Sequence, residues 1–193
     1  TTYQKGEREM IIIVEGMDGT GKTTLIQQLA HHLDVKPKKF VKSSGPYEDF
    51  KRTLVASTIP EIIELETASA KGWPIKRLYD RFPLISEAVY GPILRGHNCF
   101  GGLYYPLRGR LLALKTVIIY CRPDRGVIHT NVQQTPQMSG VREHFSELLD
   151  AYDKLFVELT ESPVNSYITL FDYTRDEVRE LIYNIRGFYG RGS

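Results

Sequence analysis

Residues 10–23 constrain the chain more than any other stretch. Met10-Ile-Ile-Ile-Val14 is a continuous, largely β-branched apolar run, the pattern of a strand buried on both faces. It passes through Glu15 into Gly16-Met-Asp-Gly-Thr-Gly21-Lys22-Thr23, which is G-x-x-x-x-G-K-[ST]. Lys22–Leu33 follows, with Leu25, Ile26, Leu29 and Leu33 at one-face helical spacing. Strand, glycine-rich loop and helix in immediate succession are the context of a phosphate-binding loop (P-loop). The glycines let the backbone curl until its N–H groups converge on phosphate oxygens. The helix that follows adds the positive end of its dipole. On this reading Gly16, Met17, Asp18, Gly19, Thr20, Gly21, Lys22, Thr23 and Thr24 bind ATP. Lys22 reaches the β- and γ-phosphates, and the Thr23 hydroxyl holds Mg²⁺.

The rest of the chain alternates in the same manner. Lys39–Lys42 and Ile75–Tyr79 are short strand candidates, Thr116–Cys121 is a strong one, and Tyr167–Phe171 is a fifth. Helical periodicity predicts Glu61–Lys71 after Pro60, Leu84–Leu94, and a long helix whose face carries Val141, Phe145, Leu148, Leu149, Tyr152, Leu155, Phe156 and Leu159. Thr174-Arg-Asp-Glu177 reads as a capping box opening a last helix with Val178, Leu181, Ile182 and Ile185 on its apolar face. Strands alternating with helices predict an α/β architecture: a P-loop NTPase fold with a five-stranded parallel sheet and helices on both faces, one domain over residues 1–193. The polar connections Ser43–Tyr47 and His129–Gly140 are expected to be substrate loops.

Composition removes other classes. Twenty-five basic and 23 acidic residues among 193 leave a net charge of +2, too little for bulk electrostatic binding of nucleic acid. No apolar run is long enough to span a membrane, and Thr1–Met10 is too charged for a secretory signal. Cys99 and Cys121 have no metal-type spacing, which predicts neither a disulfide scaffold nor a zinc site and suits a reducing cytoplasm. No N-K-x-D occurs, as a guanine-reading GTPase switch would need. A small phosphotransferase fits the length.

Glu15-Gly-Met-Asp-Gly-Thr-Gly-Lys-Thr-Thr24 resembles the phosphate loop of thymidylate kinases, E-G-x-[DE]-G-x-G-K-[ST]-[ST]. Asp80-Arg81-Phe82, followed by Ser86 and Ala88, is similar to that family's D-R-[YFH] and its next helix; Phe171-Asp172 before the last helix is a weaker match. The resemblance implies transfer of the γ-phosphoryl group of MgATP to a deoxynucleoside 5′-monophosphate, with thymidylate or a related or modified pyrimidine nucleotide as leading acceptor. It implies that Asp18 lies near the acceptor sugar and phosphate, that Asp80 works at the metal and phosphoryl centre, and that Arg81 binds the acceptor phosphate. A guanidinium there offsets repulsion between two anions, and its fork matches phosphate geometry. Thymidylate kinases are commonly dimers, so a homodimer is compatible with the resemblance.

The sequence also departs from that family. Its R-E-P-G-G-T loop is replaced by Lys42-Ser-Ser-Gly45-Pro46-Tyr47, so Lys42 either supplies the lost charge or is a solvated lysine. Val89-Tyr90-Gly91 replaces Ala-Tyr-Gln, whose glutamine reads the base. Tyr47, Phe82 and Tyr90 are candidates for stacking on a base or for core packing. The P-loop contains no arginine, so a catalytic cation is expected from a small lid over residues 125–142. Arg142 is the leading choice, with Arg122, Arg125, Arg108 and Arg110 as others. Two further readings remain: a kinase acting on a modified base or end of DNA, and a nucleotide-binding regulatory protein with weak catalysis.

Overall fold

A computed structural model of the chain describes residues 9–40, 47–136, 138–161 and 165–190. Five strands, β1 (Glu9–Glu15), β2 (Pro37–Lys38), β3 (Ile75–Asp80), β4 (Thr116–Cys121) and β5 (Ser166–Phe171), form one parallel sheet in the order β2-β3-β1-β4-β5. Seven helices connect or follow them: α1 (Lys22–Leu33), α2 (Tyr47–Ala70), α3 (Pro83–Arg95), α4 (Tyr104–Ala113), α5 (Arg125–Gln134), α6 (Phe145–Glu161) and α7 (Val178–Gly190).

The apolar run of β1 lies at the sheet centre because both of its faces are covered. Alternate side chains serve different cores. Ile11 and Ile13 join Tyr79, Ile118 and Tyr120 beneath α2 to α6, while Ile12 and Val14 join Leu78, Val117 and Ile119 beneath α1 and α7. Tyr79 and Asp80 align with Ile13 and Val14, so the end of β3 sits beside the start of the P-loop. No described helix is long and apolar enough to cross a membrane.

Four local expectations are corrected. The second strand is Pro37–Lys38; of the expected Lys39–Lys42, Lys39 and Phe40 follow its end and Val41 and Lys42 lie outside the described residues; a proline is tolerated here because this is an edge strand. The helix expected to begin after Pro60 begins at Tyr47 and passes through that proline. Packing of Leu54, Ile62 and Leu65 into the core on both sides of Pro60 outweighs the missing hydrogen bond. The α6 helix starts at Phe145, because Val141–His144 forms turns. The capping box does not form: Asp172 accepts from the Thr174 N–H and hydroxyl, and the Asp176 carboxylate accepts from the Asp172 N–H. Helix α7 accordingly starts at Val178.

One buried carboxylate ties α2 to the sheet. Glu61, 5% exposed, accepts from the Tyr79 hydroxyl and the Lys38 ammonium, and Arg77 Nε lies 3.7 Å from it. Glu61→Ala would strand the Tyr79 hydroxyl, so it is expected to cost about 2–3 kcal/mol. Urea unfolding checks this, and the Glu61→Ala/Tyr79→Phe double variant should lose less than the sum of the singles.

Candidate functional site

The P-loop closes tightly on itself. Thr20 Oγ1 and Lys22 Nζ both donate to the Met17 carbonyl, at 2.8 and 2.5 Å. Helix α1 begins without a side-chain cap and without an acidic residue in its first turn, so its leading N–H groups remain available to an anion. Burial pushes the Lys22 pKa down to about 8, and repulsion from Arg81 adds to this. Gly21 has φ +82°, and a Cβ on it would lie 2.6 Å from the Tyr173 ring. Both backbone and space therefore demand glycine there.

Beneath the loop lies Glu15, fully buried. Its Oε1 accepts from the Phe82 N–H at 2.7 Å and its Oε2 from the Tyr152 hydroxyl at 3.3 Å. Burial pushes its pKa up to about 7, against the lowering effect of the Phe82 N–H and of Arg81. A folded-state pKa above the ordinary 4.5 gives stability that is present below pH 4.5 and is lost as pH rises through 7. Glutamine has no such loss. The melting temperature of Glu15→Gln relative to wild type should therefore climb between pH 4.5 and 7 and level off above it, as thermal unfolding across that range would read.

Asp80 and Arg81 leave the carboxyl end of β3, the side of a parallel sheet where ligands bind. The Arg81 N–H extends the ladder to the Val14 carbonyl at 3.0 Å. Its φ of +67°, unusual for a side chain of this size, turns the guanidinium toward the P-loop. One terminal nitrogen of that group (Nη2) donates to Asp18 Oδ1 at 2.7 Å, the Gly16 carbonyl at 3.2 Å and the Tyr90 hydroxyl at 3.0 Å. Its Nε is buried with no hydrogen-bond partner among the described residues. Lys39 pairs with Asp80 at 2.6 Å.

These groups share a cleft of about 860 Å³. It is lined by Asp18 to Thr24, by Asn131, Gln134, Thr135 and Met138, and by Phe40, Tyr47, Phe50, Leu54, Pro83, Ser86, Glu87, Tyr90 and Arg95. Asp80 and Arg81 also line it. Arg95 bonds the buried Glu87 and lies over the Phe50 ring.

Most of the expected site residues meet here. Asp18, Gly19, Thr20, Gly21, Lys22, Thr23, Thr24, Tyr47, Asp80, Arg81 and Tyr90 all line the cleft. Gly16 and Met17 support the loop from behind, Met17 with its side chain fully buried. Phe82 does not face the cleft: it is fully buried, in edge contact with Tyr79 and Phe40. Lys42 lies outside the described residues.

The expected lid arginine is not among the lining residues. Arg142 instead donates to the carbonyls of Val132, Gln133 and Thr135, closing the C-terminal end of α5. Arg122 pairs with Asp153, Arg125 with Asp150 and Arg110 with Glu66, while Arg108 reaches the Tyr104 hydroxyl. Residues 125–134 form helix α5, on which Ile128 and Val132 are fully buried.

Sequence reasoning missed Arg95, Glu87, Phe40, Phe50 and Asn131. Glu87 and Arg95 were legible as one helical face, eight residues apart. Phe40, Phe50 and Asn131 carried no such signal.

Searches with the sequence find no matching family model and no matching curated protein. Solved structures do match. The YorR protein of Bacillus subtilis, in complex with phosphorylated GDP, superposes with a TM-score of 0.60 at 17% identity, covering 91% of this chain and 93% of that one. Deoxyadenosine kinase from M. mycoides with bound dCTP gives 0.53 at 18% identity, covering 91% and 97%. The same enzyme with products dCMP and dCDP gives 0.55 at 16%, again covering 91% and 97%. At these identities the likeness concerns the fold, and it agrees with the sheet order and flanking helices described above.

Proposed function

We propose that the protein is a nucleotide kinase, transferring the γ-phosphoryl group of MgATP to a deoxynucleoside 5′-monophosphate, with dTMP or a related or modified pyrimidine nucleotide as leading acceptor. One observation carries the reading: the P-loop with Lys22, the guanidinium-bearing Arg81 and Arg95, and the aromatic residues Phe40, Tyr47 and Phe50 line a single cleft. The fold likeness to nucleotide- and nucleoside-binding structures supports it.

Phosphoryl transfer needs positioning and charge neutralisation more than covalent chemistry. Lys22 and the amides of residues 19–23 bind the donor phosphates. Thr23 supplies a hydroxyl and Asp80 a carboxylate at the phosphate end, the sparse oxygen set that suits Mg²⁺ when phosphates and water complete its shell. When bound, the ion would offset negative charge on the donor phosphates. Arg81, oriented by Asp18 and Tyr90, holds the acceptor phosphate near the P-loop. Tyr47, Phe50 and Phe40 offer apolar faces to the acceptor base. The five lid candidates are engaged elsewhere, so Arg81 and Arg95 are the guanidiniums offered to the transferring charge.

A second reading, with a deoxynucleoside as acceptor, is favoured by the likeness to deoxyadenosine kinase and by the engagement of Arg81 with Asp18. ADP release with a panel of deoxynucleoside monophosphates, deoxynucleosides and single- and double-stranded DNA separates the readings. Turnover is expected with a monophosphate. Arg81→Ala should lower kcat/KM for it by about a hundredfold or more. Turnover with nucleosides or DNA alone would refute the acceptor assignment.

Phosphate binding favours the charged form of Lys22. With a pKa near 8 in the free protein, ATP affinity should fall as pH rises through 8. Lys22→Arg, which stays charged, should bind ATP with little pH dependence between 7 and 9.5. Fluorescent ATP-analogue titration checks this.

A further inference from the structure

The P-loop peptide between Gly19 and Thr20 is held from outside the loop. Gly19 has φ +80° and no Cβ to restrict its ψ, so on the glycine side that peptide is weakly fixed. Its carbonyl accepts from Asn131 Nδ2 at 2.8 Å. Asn131 sits on α5, 112 positions along the chain. The same nitrogen donates to the Tyr173 hydroxyl at 3.1 Å. Both amide hydrogens are thereby engaged, and the amide cannot turn over, because reversal would set its oxygen against the Gly19 carbonyl.

The approach is built into the packing. A Cβ on Gly19 would lie 3.1 Å from Asn131 Cβ, 3.1 Å from Val132 Cγ2 and 3.3 Å from the Ile128 carbonyl. Ile128 and Val132 are fully buried, so they fix the helix against the loop. Tyr173 completes the arrangement: its ring covers Gly21 while its hydroxyl aligns Asn131.

We propose that Asn131, aligned by Tyr173, is a positioning residue for phosphate binding: it fixes the Gly19–Thr20 peptide so that the Thr20 N–H is preset to donate to a nucleotide phosphate. In a trans peptide the C=O and N–H point in opposite directions. A Gly19 carbonyl pointing at α5 therefore sets the Thr20 N–H away from α5. Released from Asn131, the peptide turns over easily at Gly19 and can present its carbonyl, a repulsive group, to the anion. The bond removes that alternative before the ligand arrives, so ordering is not charged against binding. The inference rests on the phosphate-site reading given above and extends it to two residues outside the G-x-x-x-x-G-K-[ST] motif.

The test uses inorganic tripolyphosphate, which has no base or sugar, beside ATP and adenosine. Calorimetry with the whole chain measures each affinity for wild type, Asn131→Ala and Tyr173→Phe, and thermal unfolding is recorded in parallel. Asn131→Ala is expected to weaken tripolyphosphate and ATP by about tenfold, the worth of one well-placed hydrogen bond. Adenosine affinity should be unchanged, and the unfolding temperature should fall by no more than a few degrees, the cost of one lost hydrogen bond. Tyr173→Phe keeps the ring over Gly21 and should weaken tripolyphosphate by about threefold. Unchanged tripolyphosphate affinity in both variants would overturn the proposal. So would an equal loss for adenosine and tripolyphosphate, which a general disturbance of α5 produces. If wild type itself does not bind tripolyphosphate, the phosphate-site reading falls, and this inference with it.

Discussion

The cleft hangs on one buried carboxyl group. Glu15 ends the central strand and has no access to solvent. Through the Phe82 N–H it fixes the turn from β3 into α3, and through Tyr152 it holds α6. That turn carries Arg81 in its left-handed conformation, and α3 carries Glu87, Tyr90 and Arg95. A carboxyl at this depth is costly unless it is bonded on both oxygens, which it is. The cleft wall that carries Glu87, Tyr90 and Arg95, the P-loop and the sheet therefore share one anchor, at the point where the central strand stops.

Charge is distributed with the same economy. Arg81 is set against Asp18, Lys39 against Asp80, Arg95 against Glu87. Each of these three cations has a carboxylate beside it, so its charge is largely compensated in the ligand-free site. An incoming phosphate competes with carboxylates for the same guanidinium and ammonium groups. Lys22 is bonded to a carbonyl, with Asp18 and Asp80 acting on it only through space, and burial has already lowered its hold on the proton.

Much of this was legible in the sequence where local chemistry decides. The strand–loop–helix unit, the alternation of parallel strands with helices and the bounds of α1 and β4 follow from periodicity and from one motif. Asp80-Arg81 was legible because it ends a strand. What was lost depended on distant partners. Pro60 marked a helix start until core contacts on both of its sides carried α2 through it. Arg142 resembled a mobile cation until three carbonyls at the end of α5 claimed it. Phe82 had the right position for stacking, but its side chain turns into the core. No pattern in the chain links Asn131 to Gly19 or Phe40 to Phe82, because those neighbours are made by tertiary packing alone.

The proline in α2 has a mechanical consequence. A 24-residue helix is about 36 Å long. Its first half bears Tyr47, Phe50 and Leu54 on the cleft, and its second half is bolted to the sheet by Glu61 and Ile62. Pro60 removes the N–H that would clasp the Ala56 carbonyl one turn before it. The backbone hydrogen-bond ladder is therefore interrupted between the part that lines the cleft and the part bonded to the sheet. A bending load applied by a ligand to the aromatic wall meets its softest joint there, and the core contacts on both sides, Leu54 before it and Ile62 after it, limit how far that joint can open.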